Sequence, residues 1–193
     1  MKYLLATILV TISLTLSAQN IEIGLKNGSE KEQKAKEQLQ RIIKTYKVDI
    51  NTWMYTTKVE IDENTIPFSH PVLTLNCNYL DDDLKQLSNF LHEQFHWLEE
   101  AKRELREKAI SEFKQTYPDV PVKGREGARD EYSTYLHLIV CDLEFQAMTE
   151  VVGEQMAIQI LSEWNHYRWI YDKVLNDKRI RVINTKYGFT ILP

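Results

Sequence analysis

His92-Glu93-Gln94-Phe95-His96, followed by Trp97, is the stretch on which the reading of this chain turns. Two histidines four apart on a helix project from one face, a turn apart, so both imidazoles reach a single metal ion. Glu93 stands beside the first of them, where its carboxylate reaches a water bound to that ion. The surroundings predict the helix that the spacing needs. Leu84, Leu87, Phe90, Leu91, Phe95 and Leu98 recur at roughly helical intervals, and no Gly or Pro interrupts Asp81 to Tyr117. The carboxylates of Asp81 to Asp83 suit the helix N-terminus.

On the N-terminal side, Ile21, Ile23 and Leu25 alternate as a short strand and Asn27-Gly28 turns the chain. Ser29 with Glu32 forms a capping box for a helix to about Tyr46, with Leu39, Ile42 and Ile43 as its apolar stripe. That turn and cap also account for the Asn27-Gly28-Ser29 glycosylation sequon. From Ile50 to Ile61 the Thr, Val, Trp and Tyr content predicts a strand. Asp62-Glu63-Asn64-Thr65 is a turn, and Ile66 to Asn78 is further extended chain, broken by Pro67 and Pro71, part of which Pro71 places at a sheet edge.

On the C-terminal side, a Pro- and Gly-bearing loop from Tyr117 to Gly127 precedes a long helix from about Ala128 to Val152. Gly153 interrupts it, a further helical stretch reaches about Leu175, and Ile180, Val182 and Ile183 read as a short terminal strand. Two histidines do not complete a catalytic metal site, and a third protein ligand is expected from the long helix. With His137 at zero on a helical wheel, Cys141 falls at about 40° and Glu144 at about −20°. A histidine and a carboxylate on an otherwise apolar stripe, continued by Met148 and Val151, need partners, because unpaired burial is costly. Glu144 is the expected third ligand, with His137 and then Cys141 as the alternatives.

His92, Glu93 and His96 resemble the active-site motif of the zincin metallopeptidases, and Glu144 on a downstream helix resembles the glutamate of the gluzincin arrangement. The resemblance implies Zn2+ as cofactor, His92 and His96 as ligands and Glu93 as general base. It carries Glu144 more loosely, since many gluzincins have an aspartate four residues later where this chain has Met148. The segment Val72 to Cys77 is similar to the zincin strand that borders the substrate cleft. The run through Trp97 is also similar to that of small exported bacterial proteins with an H-E-Q-x-H-W motif. A peptidase needs a donor to the tetrahedral oxyanion. His166, Tyr167 and Tyr171 are candidates, with an aromatic packing face as the alternative reading of the same residues.

Positions 1–18 read as a signal peptide: Lys2, an apolar run from Tyr3 to Leu16, and Ser17-Ala18 before the cut. That run is short for a membrane span, no later segment competes with it, and an uncleaved N-terminal anchor is the alternative reading. Residues 19–193 suffice for one domain with a sizeable core. The chain carries a net charge of −4 and no basic, aromatic-interleaved patch, which argues against a nucleic-acid partner. Cys77 and Cys141 leave two readings, one disulfide or two separate thiols. The sequence therefore predicts an α+β, zincin-like domain, mostly helical with a small N-terminal β-sheet. Its expected function is an exported metallopeptidase, periplasmic or secreted, acting on a peptide or protein. The alternatives are a non-catalytic metal-binding or accessory module and a hydrolase of non-peptide amides.

Overall fold

The computed structural model describes residues 21–191 except residue 49, so the expected signal peptide lies outside the described residues. The chain begins with β1 (Glu22–Leu25), α1 (Glu30–Thr45), a single turn α2 (Ile50–Trp53), β2 (Lys58–Ile61) and β3 (Leu73–Leu75). The rest is helical: α3 (Asp83–Ala101), α4 (Arg103–Thr116), α5 (Glu131–Val152), α6 (Glu154–Ser162), α7 (Arg168–Asn176) and α8 (Lys178–Lys186). Helices thus dominate, with one small sheet at the N-terminal end.

The capping box before α1 is built as its residues require. Ser29 accepts from the Glu32 N–H, and the buried Glu32 carboxylate accepts from the N–H groups of Asn27 and Gly28 at 2.8 Å. The same carboxylate takes the Asn27 side-chain amide and, at 3.3 Å, the Glu63 N–H, which ties the turn to the chain leaving β2. Ala35, Leu39 and Ile42 form the buried stripe of α1. The helix carries the chain from β1 across to β2, so the two strands run parallel, Ile23 opposite Val59.

The strand expected from Ile50 to Ile61 is shorter, and its first residues form α2. The backbone of Tyr55 and Thr56 pairs with a side chain of α3 in place of a ladder, so the sheet starts only at Lys58. The segment from Ile66 returns as expected. Phe68 exchanges both backbone hydrogen bonds with Thr74, after which β3 runs parallel to β2 at the edge of the order β1-β2-β3. Leu73 and Leu75 are wholly buried.

The long helix expected from Asp81 to Tyr117 is broken at Lys102 into α3 and α4. Lys102 donates its ammonium to the Gly188 carbonyl at 2.6 Å, and the bend lets α4 pack on α5 and α8. The buried centre is α5, apolar on nearly every side and in contact with α3, α4, α6, α7 and α8. Gly153, at φ +83, ends it and starts α6.

The terminal strand is a correction: residues 178–186 form α8. Ile180 and Ile183 are buried while Val182 is 65 % exposed, a helical spacing where a strand would bury positions 180 and 182 together. Asp177 caps it by accepting from the Arg179 N–H. Among the described residues no helix is long and apolar enough to cross a membrane. Both cysteines are free thiols, Cys141 buried in α5 and Cys77 partly buried just after β3.

Candidate metal centre

Helices α3 and α5 lie against each other and supply the site. Asp82 caps α3 by accepting from the Lys85 N–H, and Leu87, Phe90, Leu91 and Phe95 bury one side of it. Its other face carries Ser88, His92 and His96 towards α5. The two helices cross antiparallel: Ser88 meets Glu144, whereas His96, two turns further along α3, meets His137.

The rings of His92, His96 and His137 form a nearly equilateral triangle, with centroids 5.2, 5.5 and 5.1 Å apart. One nitrogen from each lies within 4.8 Å of the others. The Nδ1 atoms have partners. That of His92 lies 2.9 Å from Glu144 Oε2, and that of His137 lies 2.6 Å from the Ser133 carbonyl. His96 Nδ1 stands 3.5 Å from Glu99, whose other oxygen is held by Arg106. For His92 and His137 the hydrogen-bonded tautomer leaves Nε2 as a free acceptor. Burial, with the neighbouring histidines adding to it, pushes both well below the usual imidazole range, so both are neutral at pH 7.

Glu144, expected from its helical phase as third ligand, belongs to a different group, with His92 and Cys141. Its two oxygens are already engaged: Ser88 Oγ donates to one, and the Tyr171 hydroxyl at 2.9 Å and His92 Nδ1 approach the other. Burial lifts its carboxyl to about 7, opposed by the Ser88 and Tyr171 hydrogen bonds. Cys141 is fully buried, and burial pushes its thiol well above the ordinary range. The group joining both histidines of α3 contains His137.

Glu93 is 8 % exposed, and burial raises its carboxyl to about 7, the nearby His96 opposing and Glu144 reinforcing the shift. It opens with His92 onto a cavity of about 350 Å³ between α3, the segment after β3 and the residues around the start of α7. His166, Tyr167 and Tyr171 form part of the wall. Burial depresses the His166 pKa and raises that of Tyr167, leaving a neutral imidazole and a protonated phenol. The Tyr167 ring lies 4.3 Å from that of His137.

Tyr167 occupies its place at a cost. It adopts the left-handed conformation, φ 55, which a residue with a Cβ rarely takes. The loop before α5 holds it there: the Arg125 and Glu126 carbonyls accept from the N–H groups of Arg168 and Trp169, satisfying donors at the start of α7. So the aromatic run both lines the cavity and packs, with Trp164 and His166 rings 5.0 Å apart.

Four contributions were not read from the sequence. Ser88 lies four residues before His92, and that spacing already put it on the same face. Trp164, whose indole N–H approaches Ser88 Oγ at 3.3 Å, and the amide-bearing wall of the cavity depend on contacts between distant segments. Gln94 is the fourth. Its Oε1 accepts from the Tyr55 and Thr56 N–H groups and its Nε2 donates to the Thr56 carbonyl, so it docks the entry to β2 onto α3. Among protein-family models, curated proteins and solved structures, none matches this chain.

Proposed function

We propose that this protein is an exported zinc-dependent metallopeptidase with a zincin-like arrangement, in which His92, His96 and His137 hold the ion and Glu93 is the general base. The observation that carries the reading is the triangle of three imidazoles from two helices beside a buried, cavity-facing glutamate. The donor set fits the metal. Three histidines with a position left for water suit catalytic zinc, and neutral rings whose Nδ1 atoms are engaged have Nε2 to offer. His137 takes the place in the ligand set that helical phase alone gave to Glu144, and Glu144 becomes the group that fixes the tautomer and orientation of His92.

When bound, zinc supplies a Lewis acid for the scissile carbonyl and lowers the pKa of a coordinated water. The chain does the rest. Glu93 accepts the proton of the attacking water and delivers it to the leaving amine, and a carboxyl poised near 7 suits both transfers. Tyr167 and His166 are wall groups able to donate to the oxyanion, since each carries a proton at neutral pH. Export rests on the leader-like residues 1–18.

The deciding experiment compares residues 19–193 and the same protein carrying Glu93→Gln, each loaded with zinc and offered a broad peptide library. General base catalysis contributes roughly 10²–10⁴-fold, so the variant should keep its zinc and lose at least about a hundredfold in hydrolysis. Equal rates would reject Glu93 as base. Zinc bound by both with no hydrolysis by either would favour the accessory-module reading, and cleavage of non-peptide amides alone would favour the other hydrolase.

A further inference from the structure

Each of the three histidines leads back through Nδ1 to a different acceptor. For His92 it is Glu144 and for His137 the Ser133 carbonyl, both within hydrogen-bond distance. For His96 it is Glu99, three residues further along α3 and on the same face. Glu99 is 4 % exposed, a burial that a carboxylate tolerates when it is paired. Arg106 pairs one of its oxygens at 2.5 Å from beyond the bend at Lys102. The other oxygen faces His96 Nδ1 at 3.5 Å. N–H donors sit about 2.7–3.2 Å from their acceptors, and a small turn of the imidazole about its soft χ2 torsion closes the gap.

Arg106 determines what Glu99 can offer. A guanidinium only donates, whereas an ionised carboxylate accepts at both oxygens. Glu99 therefore meets Arg106 with one oxygen and keeps the second as an acceptor for an imidazole N–H. Arg106 is itself fixed, because it donates to Glu107, which also accepts from the Tyr132 hydroxyl. The clamp joins the end of α3, the start of α4 and the first turn of α5, which supplies the Ser133 carbonyl to His137.

We propose that Glu99, clamped by Arg106 across the bend between α3 and α4, is a positioning residue that accepts from His96 Nδ1–H and so presents His96 Nε2 to the ion. The proposal rests on the histidine ligand set above and is independent of which bond is cleaved. It gives the break in the helix a role at the centre, since α4 is the element that carries Arg106.

Glu99→Gln is the discriminating change, because it keeps the shape and reverses the hydrogen bonding. The amide has a single oxygen, Arg106 takes it, and the NH2 group is left facing His96. An imidazole that meets a donor at Nδ1 carries its proton on Nε2, the nitrogen that the ion needs. Long-range proton–nitrogen NMR spectra of metal-free protein, ring-labelled at histidine and held at pH 8, read that tautomer directly. The parent should show His96 protonated at Nδ1 and Glu99→Gln at Nε2. Chelator titration should show zinc weakened roughly 10–100-fold in Glu99→Gln. Adding Arg106→Met frees the amide to turn its oxygen to His96. The double variant should then recover the Nδ1 proton and bind zinc as Arg106→Met alone does, a repair that a mere loss of packing would not show. Glu99→Leu, offering neither donor nor acceptor, covers the case in which Glu99→Gln fails to fold, and its His96 should lose the preference for Nδ1.

His96 protonated at Nε2 in the parent, or a tautomer indifferent to Glu99→Gln and Glu99→Leu, overturns the proposal. So does a shift in Glu99→Gln that Arg106→Met does not reverse. The two readings fail separately: a parent that binds no zinc while His96 switches as stated rejects the ligand set alone, whereas tight zinc with His96 indifferent to Glu99 rejects only this inference.

Discussion

Glu144 on α5 and His92 on α3, 52 positions apart in the chain, share a buried hydrogen bond of 2.9 Å between Oε2 and Nδ1. Ser88, a turn before His92, holds the other carboxylate oxygen, and Tyr171 reaches in from α7. Three helices thus converge on one carboxylate, and that carboxylate fixes which nitrogen of His92 is free. In the proposed zinc site a glutamate so engaged orients a ligand, while His137, two turns earlier on α5, completes the histidine triangle.

The two residues should therefore respond differently to substitution. If the proposed ligand set holds, His137→Ala removes one of its three imidazoles and should abolish stoichiometric zinc binding. Glu144→Gln removes an orienting partner and should weaken zinc by roughly 10–100-fold. Competitive chelator titration of the purified variants, each checked for folding by circular dichroism, separates them. Zinc lost with Glu144→Gln and retained with His137→Ala would reverse the assignment.

Gln94 anchors backbone from the other side of α3. Replacing it by Leu strands the Tyr55 and Thr56 N–H groups and the Thr56 carbonyl. Urea unfolding should show a loss of about 2–3 kcal/mol, since each partly buried polar group left unmade costs about 1 kcal/mol or more. A loss within experimental error would mean that water replaces the amide without penalty.

Gly127 lies in the loop whose carbonyls cap α7. A Cβ there would sit 1.9 Å from the Pro121 carbonyl oxygen, and the obstacle is backbone. Thr134 holds that backbone by bonding both the Pro121 carbonyl and the Ala128 N–H. Gly127→Ala should cost about 1–3 kcal/mol and disturb Tyr167 beside His137. A stability unchanged on thermal unfolding would show that the loop yields freely.

Asp177 provides a pH test away from the centre. The Arg179 guanidinium first, then the Arg179 N–H and the Tyr117 hydroxyl, hold its carboxyl well below the usual range. A depressed folded-state pKa stabilises above the unfolded value of about 3.9 and is lost as pH falls through the folded one. Asp177→Asn should therefore be less stable than the parent at pH 7, and the gap should narrow as the pH drops below about 4. Parallel unfolding midpoints for the two proteins across pH 2–7 would contradict the coupling.

What could be read along the chain was whatever depends on near neighbours. The Ser29–Glu32 box closes within one turn and formed as its residues require. The edge position of β3 followed from Pro71, just before the strand. The failures share a cause. Apolar residues at 180, 182 and 183 fit a strand or a helix equally, and only the surface that α8 meets decided that Val182 faces water. Nothing in residues 98–106 marks a break, because the bend at Lys102 answers to the Gly188 carbonyl and to the packing of α4.

The sequence by itself determined the pairing of His92 with His96, the adjacent Glu93 and the shared stripe of His137, Cys141 and Glu144, since angular phase around a helix is set by spacing alone. It did not determine which member of that stripe meets the two histidines. His137 and Glu144 differ little in angle but lie roughly 10 Å apart along the axis of α5, and that distance matters only against a second helix. The antiparallel crossing, with Ser88 beside Glu144 and His96 beside His137, fixed the choice. Axial register between two helices depends on how all their side chains interlock, and only the tertiary structure decides it.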